Sequence, residues 1–435
     1  MVRRRPKYLD VLMNGLKVGE LTHASDGALS FRYDSAWLKP DAARPLSRSM
    51  PLGTKTYHTE AYNYFDNLLP DNPRIRERIQ GRFDAVTSHP YDLLAAIGHD
   101  CVGAVQLVHP DCPIQDVRNI TATPVDDSQI ARILRNYHTA PLGMTGDEDD
   151  DFRISLAGAQ EKTALLWHDE QWQRPTGTTP TTHIFKLPIG MIEEQQMDLS
   201  DSCENEWLCL KIAEAFRFDF CHSTVLHFEG VKALVVERFD RRHSDGWIMR
   251  LPQEDMCQAL GVAPGKKYER DKGPGIVSIM NLLDNSAERK RDRADFFRSQ
   301  VLFWLLAAID GHAKNFSIFI QPYGRYQLTP LYDIMSAHPL IATRQLEAKK
   351  ANMAMALIGK NRHYHWHSLQ ARHFISTADR ANFSQKEAQL LLSEMMDRVD
   401  EVIDLVTPKI PSEFPDHVVT PILEGMRAVR DRAGS

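Results

Sequence analysis

The chain has 435 residues, 43% of them hydrophobic and 25% charged, and a net charge of −6. That balance fits a globular protein of two or three domains, or one large bilobed one, and lacks the global basic field of a nucleic-acid binder. The longest apolar run, Val301–Ile309, is too short to span a bilayer, no apolar signal core follows the basic start, and six scattered cysteines without a C-x-x-C pair point to a reducing cytoplasm rather than to disulfides or zinc.

Residues Tyr8–Leu52 read as β-rich. Tyr8–Met13 and Leu16–Leu21 flank Asn14-Gly15, a pair that supplies the two positive φ angles of a type I′ hairpin turn. Ala28–Tyr33 alternates as a third strand, and Pro40, Pro45 and Pro51 then break the chain into loop. Glu60–Leu69, Pro73–Arg82, Asp92–Ile97 and Asp127–Tyr137 read as helices, with a strand over Val102–Val108 and irregular chain from Pro110 to Pro124. The acidic, glycine-containing stretch Gly143–Asp151 is a solvated loop and marks the end of an N-terminal domain, residues 1–146.

A second β-rich part, residues 147–239, follows. Phe152–Leu156, the turn Ala157-Gly158-Ala159-Gln160-Glu161-Lys162 and Thr163–Trp167 read as strand, turn, strand. Small turn residues let backbone N–H groups approach phosphate oxygens, although an ordinary hairpin has the same look. Lys186 lies within the apolar strand Thr182–Leu187, where it either reaches inward to phosphates or faces solvent. Asp201–Phe216 is an amphipathic helix with Glu204 and Glu206 near its start; each is a partner for Lys186 or a complement to the helix dipole. Lys232–Glu237 is a buried strand leading to Arg238 and Phe239, the place of a hinge whose backbone meets a nucleotide base.

From residue 240 to 435 the pattern is mostly helical: Glu254–Leu260, Val277–Leu283, Arg289–Ile309, Gln385–Val406 and Pro421–Asp431, interrupted by the glycine-rich Gly261–Gly275. Glu254 and Asp255 precede a helix and read as caps or as acids facing a ligand. The basic groups Arg238/Arg241/Arg242, Arg289–Arg291, Lys349/Lys350 and Lys360/Arg362 are solvated faces or phosphate contacts. His363, His365, His367 and His373 lack the cysteines or acids of a convincing metal site.

The most informative stretch is Asp310-Gly311-His312-Ala313-Lys314-Asn315. An acid and an amide five residues apart, on a loop leaving a buried helix, suit phosphoryl transfer: Asp310 accepts a hydroxyl proton while Asn315 helps hold Mg²⁺. Phe316–Gln321, Pro322–Arg325 and Tyr326–Leu331 read as strand, turn, strand, which returns the chain so that Asp333, a second metal ligand, lies beside Asn315. Helix capping and turn chemistry would account for each residue singly.

Seven motifs together resemble the HipA-type serine/threonine kinase toxins of bacterial toxin–antitoxin modules. They are Phe65–Pro70, Ile154–Lys162, Thr182–Pro188, Val236–Arg241, Leu251–Met256, Asp310–Asn315 and Leu331–Asp333. The resemblance implies an α+β, bilobed protein-kinase-like fold with a β-rich N-terminal part and a mainly helical C-terminal lobe. By position it makes Asp310 the catalytic base and Asn315 and Asp333 the Mg²⁺ ligands. Lys186 and Ala157, Gly158, Ala159, Gln160, Glu161 and Lys162 would bind ATP phosphates, and Glu237, Arg238 and Phe239 would meet the base. His312, Ala313, Lys314, Asn315 and Tyr332 would line the same pocket, and Ser155 would be autophosphorylated. It further implies a HipB-type helix-turn-helix antitoxin, operator DNA bound through the antitoxin or directly, and glutamate–tRNA ligase as protein target, with growth arrest and persistence. A small-molecule phosphotransferase and a catalytically silent repressor subunit are the alternatives. The chain lacks the H-R-D, D-F-G and three-glycine motifs of ordinary kinases.

Overall fold

A computed structural model describes residues 7–40, 43–112, 116–139, 160 and 162–433. They form two compact units, one of Met1–Leu187, Leu226–Gly265 and Ser317–Tyr326, the other of Pro188–Val225, Lys266–Phe316 and Gln327–Ser435. The acidic stretch around 147–151 and the predicted strand Phe152–Leu156 lie outside the described residues.

In the first unit, Lys7–Met13 and Leu16–His23 pair antiparallel across Asn14 (φ 47°) and Gly15 (φ 79°), as the Asn-Gly signal requires. Leu29–Tyr33 extends this sheet on one side and Val105–Val108 on the other. Alternation turns Leu9, Val11 and Met13 to one face, where they pack with Phe31, Tyr64, Phe65, Leu94 and Ile97. Each such side chain contributes about 1.5–3 kcal/mol on burial. The helix Pro73–Arg82 starts with proline at its first position, and the Asn72 side chain accepts from Arg74 N–H.

A six-stranded sheet runs in the order Ser223–Phe228, Val231–Glu237, His183–Lys186, Lys162–His168, Gln171–Pro175, Ala122–Pro124. Ile130, Ala131 and Leu134 of the helix Asp127–Thr139 cover it against Leu165, Phe185 and Val235.

Two basic residues expected at a solvated or phosphate-binding face are interior instead. The side chains of Arg238 and Arg241 are 1% and 2% exposed and engage Asp100 and Asp240, and Arg250 joins them on Asp100. Burial pushes the Asp100 carboxyl up, but the Arg241, Arg238 and Arg250 guanidiniums outweigh it and hold it below the ordinary carboxylate range. Burial, with Arg238 alongside, brings Arg241 down to about 10. Asp240 lies between Arg238 and Arg241 in sequence, but Asp100, which all three arginines share, is 138 to 150 residues away, and no local pattern reveals it. In the other basic groups, Arg289 pairs with Asp284, Arg291 with Asp219, Lys350 with Glu347 and Arg362 with Glu269.

The predicted helix Glu254–Leu260 is also corrected. Gln253–Asp255 is a strand paired with Ser317–Ile320, and only Met256–Ala259 is helical. Asp255 accepts from Gln258 N–H while the Gln258 side chain accepts from Asp255 N–H, a capping box that fixes where the helix begins.

The second unit is mainly helical: Ser202–Ala215, Ile276–Leu283, Arg289–Leu305, Ala371–Arg380, Gln385–Asp397, Val399–Val406 and Asp416–Ala433. The stretch predicted as one helix from Gln385 to Val406 is two, divided at Arg398. The hairpin Asn352–Ile358 with Arg362–His365 was not anticipated; its His363 stacks on His373 with ring centroids 3.9 Å apart.

Candidate active site

The site is built on the end of the helix Arg289–Leu305, whose first turns are polar and whose last, Val301–Leu305, are fully buried. Leu306 caps it, Ala307 turns left-handed (φ 48°), and Ala307 and Ala308 donate back to Trp304 O at 3.2 Å and Phe303 O at 2.8 Å. This double closure normally uses glycine, and an alanine there costs about 1–2 kcal/mol.

The last carbonyls of a helix lack internal partners, and here each is met from outside the helix. Trp366 Nε1 donates to Trp304 O (2.8 Å), His338 Nε2 to Leu305 O (2.9 Å), Ser336 Oγ to Leu306 O (2.6 Å) and Ala337 N to Ala307 O (3.1 Å). Burial pushes the His338 imidazole down to about 4, the bond to Leu305 O opposes this, and Arg432 adds to it. The ring is therefore neutral at pH 7, with its proton on Nε2 facing the carbonyl.

Asp310 stands exposed three residues beyond Ala307. Its backbone oxygen accepts from His312 N at 2.7 Å and from the Asn315 side-chain Nδ2 at 2.9 Å, and His312 O accepts from Asn315 N at 2.9 Å. Gly311 is required here: a Cβ at this position would lie 2.2 Å from Cε2 of buried Phe303. Asn315 Nδ2 also reaches Asp333 O at 3.4 Å, so the residues expected to meet do meet across 18 residues of sequence. The intervening chain is a hairpin, Ser317–Ile320 and Tyr326–Leu328, whose turn is closed by Gln321 N to Arg325 O. With Nδ2 so engaged, Asn315 Oδ1 is its remaining acceptor, the type of atom a hard cation takes.

Asp333 has φ 57°, a left-handed conformation that aspartate tolerates better than most residues and that concentrates at functional sites. Its neighbour Tyr332 donates from its hydroxyl to Lys314 O at 2.8 Å. Three residues on, Ser336 is clamped by Asn205 of the helix Ser202–Ala215: Nδ2 donates to Ser336 O and Oδ1 accepts from Ser336 N, both at 2.8 Å.

Of the remaining predicted residues, Lys186 is buried on the strand His183–Lys186 and stands directly opposite Lys162 in the adjacent strand. Directly opposed residues share one face with Cβ atoms about 4.5–5.5 Å apart. Gln160 Nε2 donates to Leu187 O at 2.6 Å. Ser155, Ala157, Gly158, Ala159 and Glu161 lie outside the described residues. Glu237 is exposed at a strand end and Phe239 is partly exposed. The Arg238 guanidinium is committed to Asp100 and Asp240 and its N–H to Thr182 O, so neither is left for a base. Glu204 and Glu206 are buried on the helix Ser202–Ala215.

Two residues of this region had not been singled out. Asn205 sits between the two glutamates that had drawn attention, and its role depends on a partner 131 residues away. Tyr268 lies in the glycine-rich stretch and donates to Asp310 Oδ1 at 2.6 Å. No spacing rule reveals either contact.

Comparison with known proteins follows the same lines. The HipA N-terminal domain model matches residues 9–108 and the HipA-like C-terminal domain model matches residues 154–403. Y4mE of Sinorhizobium fredii is 34% identical over 76% of this chain and 77% of its own. The serine/threonine-protein kinase toxin HipA of Shewanella oneidensis is 28% identical over 75% of each. HipA in the Shewanella oneidensis complex with HipB and operator DNA superposes with a TM-score of 0.80 at 24% identity, covering 98% of this chain and 97% of that one, and so shares the fold. The chain belongs to the HipA family of serine/threonine-protein kinases.

Proposed function

We propose that the chain transfers the γ-phosphoryl group of ATP, with Mg²⁺, to a serine or threonine hydroxyl of a protein of the translation apparatus, glutamate–tRNA ligase being the expected target. The observation that carries this reading is the meeting of Asp310, Asn315 and Asp333 on a loop held by the closed end of a buried helix. Asp310 is the general base that takes the hydroxyl proton. Asn315 Oδ1 and the Asp333 carboxylate are hard oxygen donors of the kind Mg²⁺ accepts together with phosphate oxygens. When bound, the metal neutralises charge on the transferring phosphoryl group.

Lys186 and Lys162 bind ATP phosphates, supported by their opposition on one sheet face. The turn from Ala157 to Lys162 covers the phosphates, Glu237 to Phe239 meet the base, and His312, Ala313, Lys314 and Tyr332 are further nucleotide-binding residues. In chain order, residues 1–146 form an N-terminal subdomain, 147–239 the nucleotide-binding part and 240–435 the catalytic lobe. Phosphorylation of Ser155 would silence the enzyme, because a phosphate of charge about −2 is repelled by bound ATP phosphates in the pocket its loop covers. A HipB-type antitoxin and operator DNA are the proposed partners, with the chain as corepressor in the cytoplasm, and its unrestrained activity arrests growth and leads to persistence.

Labelled ATP with Mg²⁺ tests the reading. Label is expected on Ser155 and on glutamate–tRNA ligase, with Asp310→Gln abolishing both label and growth arrest. Absence of label from every protein, with a small molecule labelled instead, would establish a different phosphotransferase; Asp310→Gln that still arrests growth would separate arrest from catalysis.

A further inference from the structure

Tyr268 donates its hydroxyl proton to Oδ1 of Asp310 at 2.6 Å, a short bond of the charge-assisted kind. The chain on both sides of Tyr268 is anchored. Lys267 O accepts from Ala313 N at 3.2 Å, which ties this stretch to the Asp310–Asn315 loop itself. The Glu269 carboxylate accepts from Ala356 N at 2.7 Å and from Arg362 Nε at 3.1 Å. Tyr268 O accepts from Asp271 N and Gly273 N, both at 3.0 Å, in a turn so tight that a Cβ on Gly273 would lie 1.8 Å from Lys266 O. The Tyr268 ring packs edge-on against His312, with centroids 5.0 Å apart. A side chain held at so many points is a fixture of the loop and not a cover that swings away.

We infer that Tyr268 is a positioning residue for phosphoryl transfer: by engaging Oδ1 it fixes the rotation of the Asp310 carboxylate and leaves Oδ2 as the oxygen that receives the acceptor's proton. The inference rests on Asp310 being the base. In the transfer step the acceptor O–H bond breaks and its proton passes to Oδ2. The acceptor oxygen bonds to the γ-phosphorus, and the bond from that phosphorus to the β,γ-bridging oxygen breaks to release ADP. An exposed aspartate otherwise rotates freely about its side-chain bonds, and misplacing a base by an ångström loses much of its effect.

Tyr268→Phe tests this cleanly, because it keeps the ring against His312 and removes one oxygen. The initial rate of label transfer from ATP–Mg²⁺ to the chain itself and to glutamate–tRNA ligase is measured against ATP concentration for wild type, Tyr268→Phe and Asp310→Asn, with thermal unfolding of each. The maximal rate of Tyr268→Phe is expected to fall roughly ten- to a hundredfold at unchanged half-saturating ATP and unchanged unfolding temperature. An unchanged or raised maximal rate in Tyr268→Phe, with Asp310→Asn inactive, overturns the positioning role alone; a raised rate would make the tyrosine a stand-in for the acceptor hydroxyl. A fall accompanied by a lowered unfolding temperature or weaker ATP saturation also overturns it. Transfer retained in Asp310→Asn, or no transfer by wild type, overturns the underlying assignment of the base and this inference with it.

Discussion

Asn205 offers a severe test of how the loop after Asp333 is held. Its amide makes a reciprocal pair of 2.8 Å hydrogen bonds with the backbone of Ser336, and both residues are buried. Asn205→Ala leaves a buried N–H and a buried C=O without their partners, and each such group costs about 1–3 kcal/mol. Water entering the space left by the amide offsets part of this, so a loss of about 3 kcal/mol is expected. Asn205→Asp should be at least as harmful although it is closer in shape. A carboxylate can still accept from Ser336 N–H, but its second oxygen then faces Ser336 O with no proton between them. Urea unfolding followed by tryptophan fluorescence measures the change, since Trp207 lies on the same helix. A loss below about 0.5 kcal/mol for Asn205→Ala, or an aspartate variant milder than the alanine one, would refute the idea that this amide is what holds the chain beyond Asp333.

Other expectations concern the same architecture. His338 is held near 4 in the folded chain against an ordinary value of 6.5, so the unfolded chain binds the extra proton between those limits. Its contribution is complete above pH 6.5 and is lost as pH falls toward 4, to a total of about 3 kcal/mol; wild type minus His338→Gln should show this slope, and a difference independent of pH would count against it. Gly311→Ala forces a methyl group into Phe303 and should lose about 1–3 kcal/mol together with most of the phosphotransfer rate, measured by unfolding and by label transfer. Asp100→Asn leaves Arg238, Arg241 and Arg250 facing one carboxylate fewer and should lose about 3–5 kcal/mol in urea unfolding, whereas a near-neutral result would show that the cluster relaxes around the loss.

The local signals in the sequence were dependable where one interaction decides the outcome. Asn14-Gly15 specified its turn, Pro73 its helix start, and the alternating runs on either side of Pro322 their hairpin. The convergence of Asn315 with Asp333 was legible for the same reason, since a hairpin brings its own ends together. What escaped depends on partners distant in sequence. Arg238 and Arg241 look like surface charges until distant Asp100 is placed among them, and Glu254 looks helical until the strand Ser317–Ile320 takes it up. Buried Glu254 shows how strongly such placement alters chemistry: burial pushes its carboxyl up to about 8, a change that hydrogen bonds from Arg48 and Ser47 only partly offset.

The carbonyls at the end of the helix Arg289–Leu305 have a consequence in time as well as in space. Their partners lie 30, 33 and 62 residues further along the chain, at Ser336, His338 and Trp366. A ribosome working from the N-terminus therefore delivers Asp310 well before it delivers the groups that steady it. The helix end lacks its full set of partners until Trp366 has emerged. Chains stalled short of that point should bind no nucleotide productively, so the kinase is withheld until well after its catalytic loop has been made.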